Sequence, residues 1–338
     1  MGGYDAHTTP WSLTDADFPA GGTAAEQARH LVAYAILAPS SHNSQPWRFR
    51  VSDDGVDVIA DLDRWLQVAD DDRRELHLSL GCAVENLALA AAHFGYEPEV
   101  SLLPDPADET LAARVHLGPK VSAPAGGLDD LFPAILRRRT NHREYSSAPL
   151  PAEFVTTIGH LLGGGDLRLE IRSDEVTRDA LRHLSLAGDA INFANPAYRD
   201  ELSMWLARGV FGESWIVAHM EAFAAAEVPA TGSSVAKKDA KRIAGSPAMA
   251  LIATGGDDRL SQLRAGRLFE RVALAATTAD VGVQPESQAL EAPELRVQVA
   301  RLMAPDGWVA QQLFRLGPAS PEPRHTPRRS LDEVLVGA

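Results

Sequence analysis

Ala38-Pro-Ser-Ser-His-Asn-Ser-Gln-Pro-Trp47 is the most informative stretch of this 338-residue chain, because it lies where a helix stops and a strand begins. Upstream, Thr23-Ala-Ala-Glu26 forms a capping box, in which hydroxyl and carboxylate each accept a backbone N–H at the helix start. Ala28, Leu31, Val32, Ala35 and Ile36 follow at helical spacing, which predicts a helix over 24–38 ended by Pro39. Downstream, Trp47, Phe49 and Val51 alternate with Arg48 and Arg50, and Asp54-Gly55 turns into Val56 to Leu62, the pattern of a hairpin. The connecting segment gathers hydroxyls, an Asn and a Gln beside an apolar core. Pro, Ser and Asn are turn residues for local backbone reasons, so an ordinary helix stop accounts for it. The same donors and acceptors also suit the polar edge of a planar heterocycle.

Further along, Leu76, Leu80, Val84, Leu87 and Ala91 share one face of a helix over 74–94, with Gly95 behind its end. Short strands are expected near 98–103 and 111–117, and Lys120 to Gly127 reads as a small, turn-rich connector. The alternation then repeats less regularly. Helices are expected over 128–138, 151–162 and 175–191, with strands at Leu167–Ile171 and Met249–Thr254. A long helix runs from Asp257 to Val281, another starts at Pro293, and Trp308 to Leu316 makes a last strand. Asn195 to Ala244 carries Trp205, Phe211, Trp215, Met220 and Phe223 in helix-like stretches broken by Gly and Pro, without a strong period of either kind. So aromatic and irregular an insertion should cover something. The reading is an α+β chain of two related halves, 1–120 and 128–338, with the insertion at about 195–244.

Hydrophobic residues make up 45% and charged residues 23%, enough for a sizeable core and against disorder of the whole chain. The net charge of -14, from 46 acidic and 32 basic residues, repels a phosphate backbone and excludes general nucleic-acid binding. Only Lys120, Lys237, Lys238 and Lys241 are lysines, so anions should be met mainly by the planar guanidinium. The single cysteine, Cys82, excludes an internal disulfide and a four-cysteine zinc site, and within an apolar helix it reads as a packed hydrophobe. The eleven histidines show no ligand spacing, so no metal is expected, and His42 and His142 are given no proton-transfer role. No Gly-x-Gly-x-x-Gly supports a nicotinamide-binding Rossmann domain. Without a signal peptide or a membrane-length apolar run, the expected location is the cytoplasm.

The segment from Pro39 resembles the flavin-binding loop of the nitroreductase superfamily, Pro-Ser-x-x-Asn-x-Gln-Pro-Trp. The match is ungapped at Pro39, Ser40, Asn43, Gln45, Pro46 and Trp47, with Ser41 inside it. Gly81 to Ala91 is similar to that family's central helix. The family's Arg-x-Ser-x-Arg/Lys-x-Phe element, which binds the FMN phosphate and ring edge, does not precede Ala38. Its likeness stands at Arg139-Thr-Asn141-His-Arg143-Glu-Tyr145, directly after Arg137 and Arg138, with Asn141 in place of the serine. Guanidiniums this dense need an anion or carboxylates to neutralise them, although a solvated basic patch at a helix end is the alternative. In that family the two elements come from two subunits. Here they come from two halves of one chain, which implies a monomeric, fused pseudo-dimer of the Acg-type branch with one FMN site. On that view Ala194-Asn-Pro-Ala197 stands where the second half's own loop would lie.

Three further likenesses are weaker. Lys238 and Lys241 resemble family positions that meet the ribityl chain and flavin N1/O2, and Pro285, Ser287 and Gln288 fall where the family presents backbone N–H to flavin N5. Arg328 and Arg329 resemble a C-terminal basic element that reaches the phosphate. Exposed charge accounts equally for the lysines and the tail, and a plain loop for 285–288. The resemblance implies an FMN-binding oxidoreductase that passes hydride through flavin N5 without a catalytic acid or base from the protein. NAD(P)H would be the donor and a nitroaromatic, quinone or other conjugated electrophile the small-molecule acceptor. The alternative is a flavin-sequestering or storage protein in which 195–244 caps the cofactor.

Overall fold

Helix α1 (Ala24–Ala35) starts from the expected capping box: Thr23 N–H donates to Glu26 Oε2 at 2.7 Å and Glu26 N–H to Thr23 Oγ1 at 3.2 Å. The chain is seen here in a computed structural model that describes residues 9–120, 131–161, 165–212, 215–227, 230–322 and 324–337. The expected connector at 121–127, the start of the 128–138 helix, and Gly163-Gly164 lie outside these residues.

After α1 come β1 (Trp47–Ser52), β2 (Gly55–Ala60), α2 (Arg74–His93), β3 (Glu99–Leu102) and β4 (Leu111–His116). Ser52 pairs with Gly55, so the hairpin turns at Asp53-Asp54, one residue earlier than expected. Gly55 is needed inside the strand, because a Cβ there would stand 2.1 Å from the Val115 carbonyl of β4. The second half holds α3 (Phe132–Ile135), α4 (Ala152–His160), β5 (Leu167–Arg172), α5 (Glu175–Ala194), α6 (Pro196–Ala207), α7 (Trp215–Glu227) and α8 (Ala230–Ala244). It continues through β6 (Ala248–Thr254), α9 (Arg259–Thr278), β7 (Val281–Pro285), α10 (Pro293–Met303) and β8 (Val309–Pro318), then α11 (Leu331–Val334) and β9 (Leu335–Val336).

The two sheets repeat one plan. The first runs β3-β4-β2-β1 and the second β7-β8-β6-β5, each antiparallel, with the long helix joining its second and third strands. This is the duplicated α+β architecture expected from the sequence. The second half also lends its end to the first sheet: β9 adds parallel to β1, pairing Leu335 with Phe49.

Where the first half turns at Asp53-Asp54, the second inserts everything between β5 and β6, and most of the described residues of 195–244 belong to helices α6, α7 and α8 rather than to an irregular segment. Trp205 and Tyr198 are buried while Met204, Met220 and Phe223 are exposed, so apolar residues lie on more than one side of these helices and no single apolar face was visible. Ala194-Asn-Pro-Ala197 joins α5 to α6 inside this insertion, with Asn195 Oδ1 accepting the Ala197 N–H at 3.0 Å. It is a helix cap, and the equivalent of the first half's Pro39–Pro46 segment is instead the α4–β5 connection.

One hydrophobic core joins the halves, running from Leu31, Trp47, Phe49 and Leu80 to Phe269, Val272 and Phe314. At its centre α2 and α9 cross backbone to backbone. A Cβ on Gly81 would lie 2.3 Å from Leu263 O, and one on Gly266 would lie 2.1 Å from Leu78 O. Replacing Gly266 by Ala should therefore force the helices apart and cost about 1–3 kcal/mol, seen as a lower thermal midpoint. Gly159→Ala on α4, where a Cβ meets nothing within 4 Å, should be neutral or raise the midpoint slightly. Equal effects of the two substitutions would contradict the tight crossing.

Candidate functional site

The loop between α1 and β1 has an unusual backbone. His42, Asn43 and Gln45 adopt φ of 50°, 48° and 52°, the left-handed region that residues with a Cβ enter only under constraint. The constraint is polar. Ser40 Oγ accepts the Gln45 N–H at 2.9 Å, and Ser41 Oγ donates to Glu75 at the start of α2. Asn43 Nδ2 donates to Val210 O at 2.6 Å and Pro327 O at 3.0 Å, while Asn43 Oδ1 accepts from Arg328 Nη1 at 3.0 Å. Gln45 Oε1 accepts the Arg329 N–H at 2.7 Å. Both amide side chains are buried, engaged by the C-terminal tail and by the insertion. Pro39 makes the turn out of α1 and is part-exposed.

Above the loop's first residues the arginines converge. Arg138 Nη2 and Arg328 Nη2 both donate to Leu37 O at 3.1 Å, and Arg328 also reaches Ala38 O at 3.2 Å. Arg329 donates to Gln45 O and Trp47 O, both at 3.0 Å, and pairs with Asp61 at 3.1 Å. Fully buried Glu270 faces Arg138 Nε at 3.4 Å without a hydrogen bond. Burial outweighs that arginine and lifts the Glu270 carboxyl to about 7. Burial, then Arg138, pulls the Arg328 guanidinium well below its ordinary value. His325 stacks on Trp11 at 3.9 Å and is driven down to about 3 by burial and by Arg139, Arg138 and Arg328. Among the described residues the Nε atoms of Arg138, Arg139 and Arg328 and His325 Nδ1 are buried without hydrogen-bond partners. Three guanidiniums against one part-protonated carboxyl, with orphaned donors, are what a dianionic phosphate would satisfy. Trp11, His325 and Glu270 were missed by sequence reasoning; only the His325-Thr-Pro-Arg328 run offered a signal.

The rest of the Arg element fastens a turn. Asn141 N–H donates to Val283 O and its Nδ2 to Ser320 O, both at 2.9 Å, while its Oδ1 accepts the Arg143 N–H at 3.0 Å. Arg143 faces Glu322 at 3.7 Å, and buried Arg315 donates to Asn141 O at 3.1 Å and Arg143 O at 2.8 Å. Lys241 pairs with Glu144, and Lys238 is exposed. Arg137, Arg139, Asn141, Gly282 and Glu322 line an open cleft of ≈ 120 Å³. Pro285 ends β7, Ser287 O accepts the N–H groups of Leu290 and Glu291, and Gln288 Nε2 donates to Asp239 of α8 at 3.3 Å. The structure thus joins the loop to Arg138, Arg328 and Arg329. It gathers Asn141, Arg143, Lys241 and the end of β7 into a second, neighbouring group.

The insertion closes over the first group. Trp205 of α6 is buried between the guanidiniums of Arg64 and Arg208, 5.1 and 4.5 Å from its ring centre. Glu201 accepts the Val68 and Ala69 N–H groups at 3.2 and 3.0 Å, and a Cβ on Gly212 would stand 3.0 Å from Pro327. Among the described residues no group of His, Cys, Asp and Glu is placed to hold a metal, and no helix is long and apolar enough to cross a membrane. Cys82 is buried, its Sγ 3.2 Å from Gly266 O, with burial raising the thiol well above its ordinary value.

No protein-family model matches the chain. A Mycobacterium tuberculosis (strain ATCC 25618 / H37Rv) protein with the provisional name NAD(P)H nitroreductase Rv3131 is 30% identical over 321 residues, 92% of this chain and 91% of its own. From the same strain, a protein provisionally named NAD(P)H nitroreductase acg is 29% identical over 319 residues, covering 90% and 93%. Among solved structures, a nitroreductase with bound FMN from Desulfitobacterium hafniense DCB-2 aligns with 59% of this chain and 94% of its own, at 15% identity and a TM-score of 0.39.

The guanidinium cluster makes a direct prediction. Inorganic phosphate, added at constant ionic strength, should stabilise the fold by about 1.4 kcal/mol at ten times its Kd, seen as a higher unfolding midpoint. Arg328→Ala should abolish that response. A response that survives in this variant would place the anion elsewhere.

Proposed function

The chain belongs to the NAD(P)H nitroreductase family, and from that premise we propose that it is an FMN-dependent oxidoreductase with one flavin per chain. When bound, FMN supplies hydride transfer through N5 from NADH or NADPH to a conjugated electrophile such as a nitroaromatic or quinone. The observation that carries the reading is the meeting of second-half Arg138 and tail Arg328 on the Leu37 carbonyl at the head of the first-half loop. Their orphaned donors, with those of Arg139 and His325, fit the phosphate. The Ser40–Gln45 loop would take the polar edge of the ring, and Lys238, Lys241 and Pro285–Gln288 the ribityl chain and the opposite edge. Asn141 acts one step back, since both ends of its amide hold the turn that carries Arg139 and Arg143.

A second reading, flavin sequestration, is supported by the engagement of Asn43 and Gln45 by Val210, Pro327 and Arg329. Insertion and tail together cover the loop that would meet the ring. Anaerobic titration of the FMN-loaded protein with NADH and NADPH separates the two readings. Bleaching of the flavin with either donor is expected for the enzyme, and none with both would favour sequestration.

Arg138→Ala or Arg139→Ala should weaken FMN binding by about 1–3 kcal/mol each, the scale of a charge-assisted hydrogen bond, and affect riboflavin much less. Equal losses for both ligands, measured by fluorescence titration, would mean that the arginines act through the fold. Because the elements come from two halves of one chain, the monomer should keep its FMN on dilution. Two flavins per chain, or loss that tracks dissociation of a dimer, would overturn the single-site reading.

A further inference from the structure

The insertion is fastened to the rest of the chain through a seam crowded with carboxyls. On the insertion side lie Asp189 of α5, Glu201 of α6 and Asp239 of α8; facing them are Asp70, Glu75, Glu286 and Glu291. Asn192 of α5 donates to Glu291, Ser41 donates to Glu75, and Asp70 accepts the Glu75 and Leu76 N–H groups at 2.8 Å. Tyr198 of α6 sits among Glu291, Asp189, Glu75 and Glu201. A Cβ on Gly188 would stand 2.2 Å from Gln288 O, so α5 lies directly on the segment after β7. The cations are Arg74 at 3.1 Å from Glu75, Arg242 at 2.8 Å from Asp239 and Arg315 at 3.5 Å from Glu286. His42, buried beside Glu75 and Glu201, is pushed down by burial and remains neutral. Among the described residues seven carboxyls meet three guanidiniums along this seam, so ionising every carboxyl at once is opposed by mutual repulsion.

We propose that this seam is a pH-responsive latch, closed over the loop at low pH and loosened as rising pH adds negative charge to it. The root of the insertion does not take part, because Leu181 and Ile243 are buried in the apolar cluster of Met249, Leu251 and Leu313. The responsive part is the far end of α5 and α6, where Asp189 is 4% exposed and its Oδ2 has no hydrogen-bond partner among the described residues. The group facing Asp189 most closely in charge is Asp239, and those facing Glu291 are Glu75, Arg74 and Asp70. Burial, then Asp239, raises Asp189 to about 7. Burial, then Glu75, raises Glu291 and Asp70 well above the usual range.

The sign follows from proton linkage. Groups that bind protons more tightly when closed favour closure at low pH, and that contribution is lost as pH rises toward the closed-state value. For Asp189 alone, a move from about 3.9 when open to about 7 when closed raises the open-to-closed ratio about tenfold between pH 6 and pH 8.5. The inference that opening exposes a flavin rests on the function proposed above, but the latch itself does not.

Hydrogen exchange of the full chain, with rates normalised to the intrinsic exchange at each pH, tests it. Between pH 6 and pH 8.5 the protection of α6 amides should fall about tenfold while that of β4 holds. Asp189→Asn should keep α6 protected at pH 8.5, and Glu291→Gln offers the same test should the first variant misfold. Equal protection at both pH values, a loss shared by β4, or variants that track the native chain would each overturn the latch. FMN binding does not enter this measurement, so its failure leaves the functional reading to the donor titration.

Discussion

The backbone contact of α2 with α9 at Gly81 and Gly266 is the constraint on which the other features depend. Helices that approach this closely admit no side chain at the crossing, so residues one turn further on are brought to fixed partners. One turn beyond each glycine stands a glutamate, Glu85 on α2 and Glu270 on α9. With the repeated strand order, these equivalent positions make the two halves a matched pair about the crossing. Just beyond the end of α1, the carbonyls of Leu37 and Ala38 accept from second-half Arg138 and Arg328.

Equivalent positions then meet different chemistry. Glu85 accepts Arg267 Nε at 2.7 Å and Arg271 Nε at 2.6 Å, a buried carboxylate neutralised by two guanidiniums of the facing helix. Glu270 has one arginine at 3.4 Å, and burial raises its carboxyl. A buried ion pair is stable only when desolvation is offset by close, hydrogen-bonded partners, which Glu85 has and Glu270 lacks. Around Glu270, Arg138, Arg139 and Arg328 exceed the carboxylate available, and among the described residues their Nε atoms have no hydrogen-bond partner. One side of the duplicated core is thus electrostatically complete, while the other retains a capacity for an anion.

Local rules accounted for much of this. The Thr23–Glu26 box, the β1–β2 hairpin and the long α2 and α9 were legible because each follows from residues within a few positions of one another. The partners of Asn43 and Gln45 were not, since Val210, Pro327 and Arg329 lie far away in the chain and nothing local marks them. The seat of Trp205 between Arg64 and Arg208 is likewise visible only after folding. Strand β7 was hidden behind the end of α9, where Val281-Gly-Val283 continues the apolar pattern, and two-residue β9 is too short to carry a period. The Arg element was legible as a charge cluster, but Glu270 and His325 joined it through tertiary contacts alone.

Three departures from exact duplication coincide. The polar loop stands only in the first half, the Arg cluster only in the second, and the long insertion only between β5 and β6. Under a two-fold arrangement, a cover must come from the half opposite the loop if it is to reach across the crossing. The insertion does so, from a second-half hairpin to first-half Asn43, Val68 and Ala69. An insertion at Asp53-Asp54 would have been carried by the same symmetry toward the α4–β5 connection, away from Arg138 and Arg328. The position of the insertion is therefore tied to the position of the surplus positive charge, and a chain that had degenerated without regard to a site would have no reason to link the two.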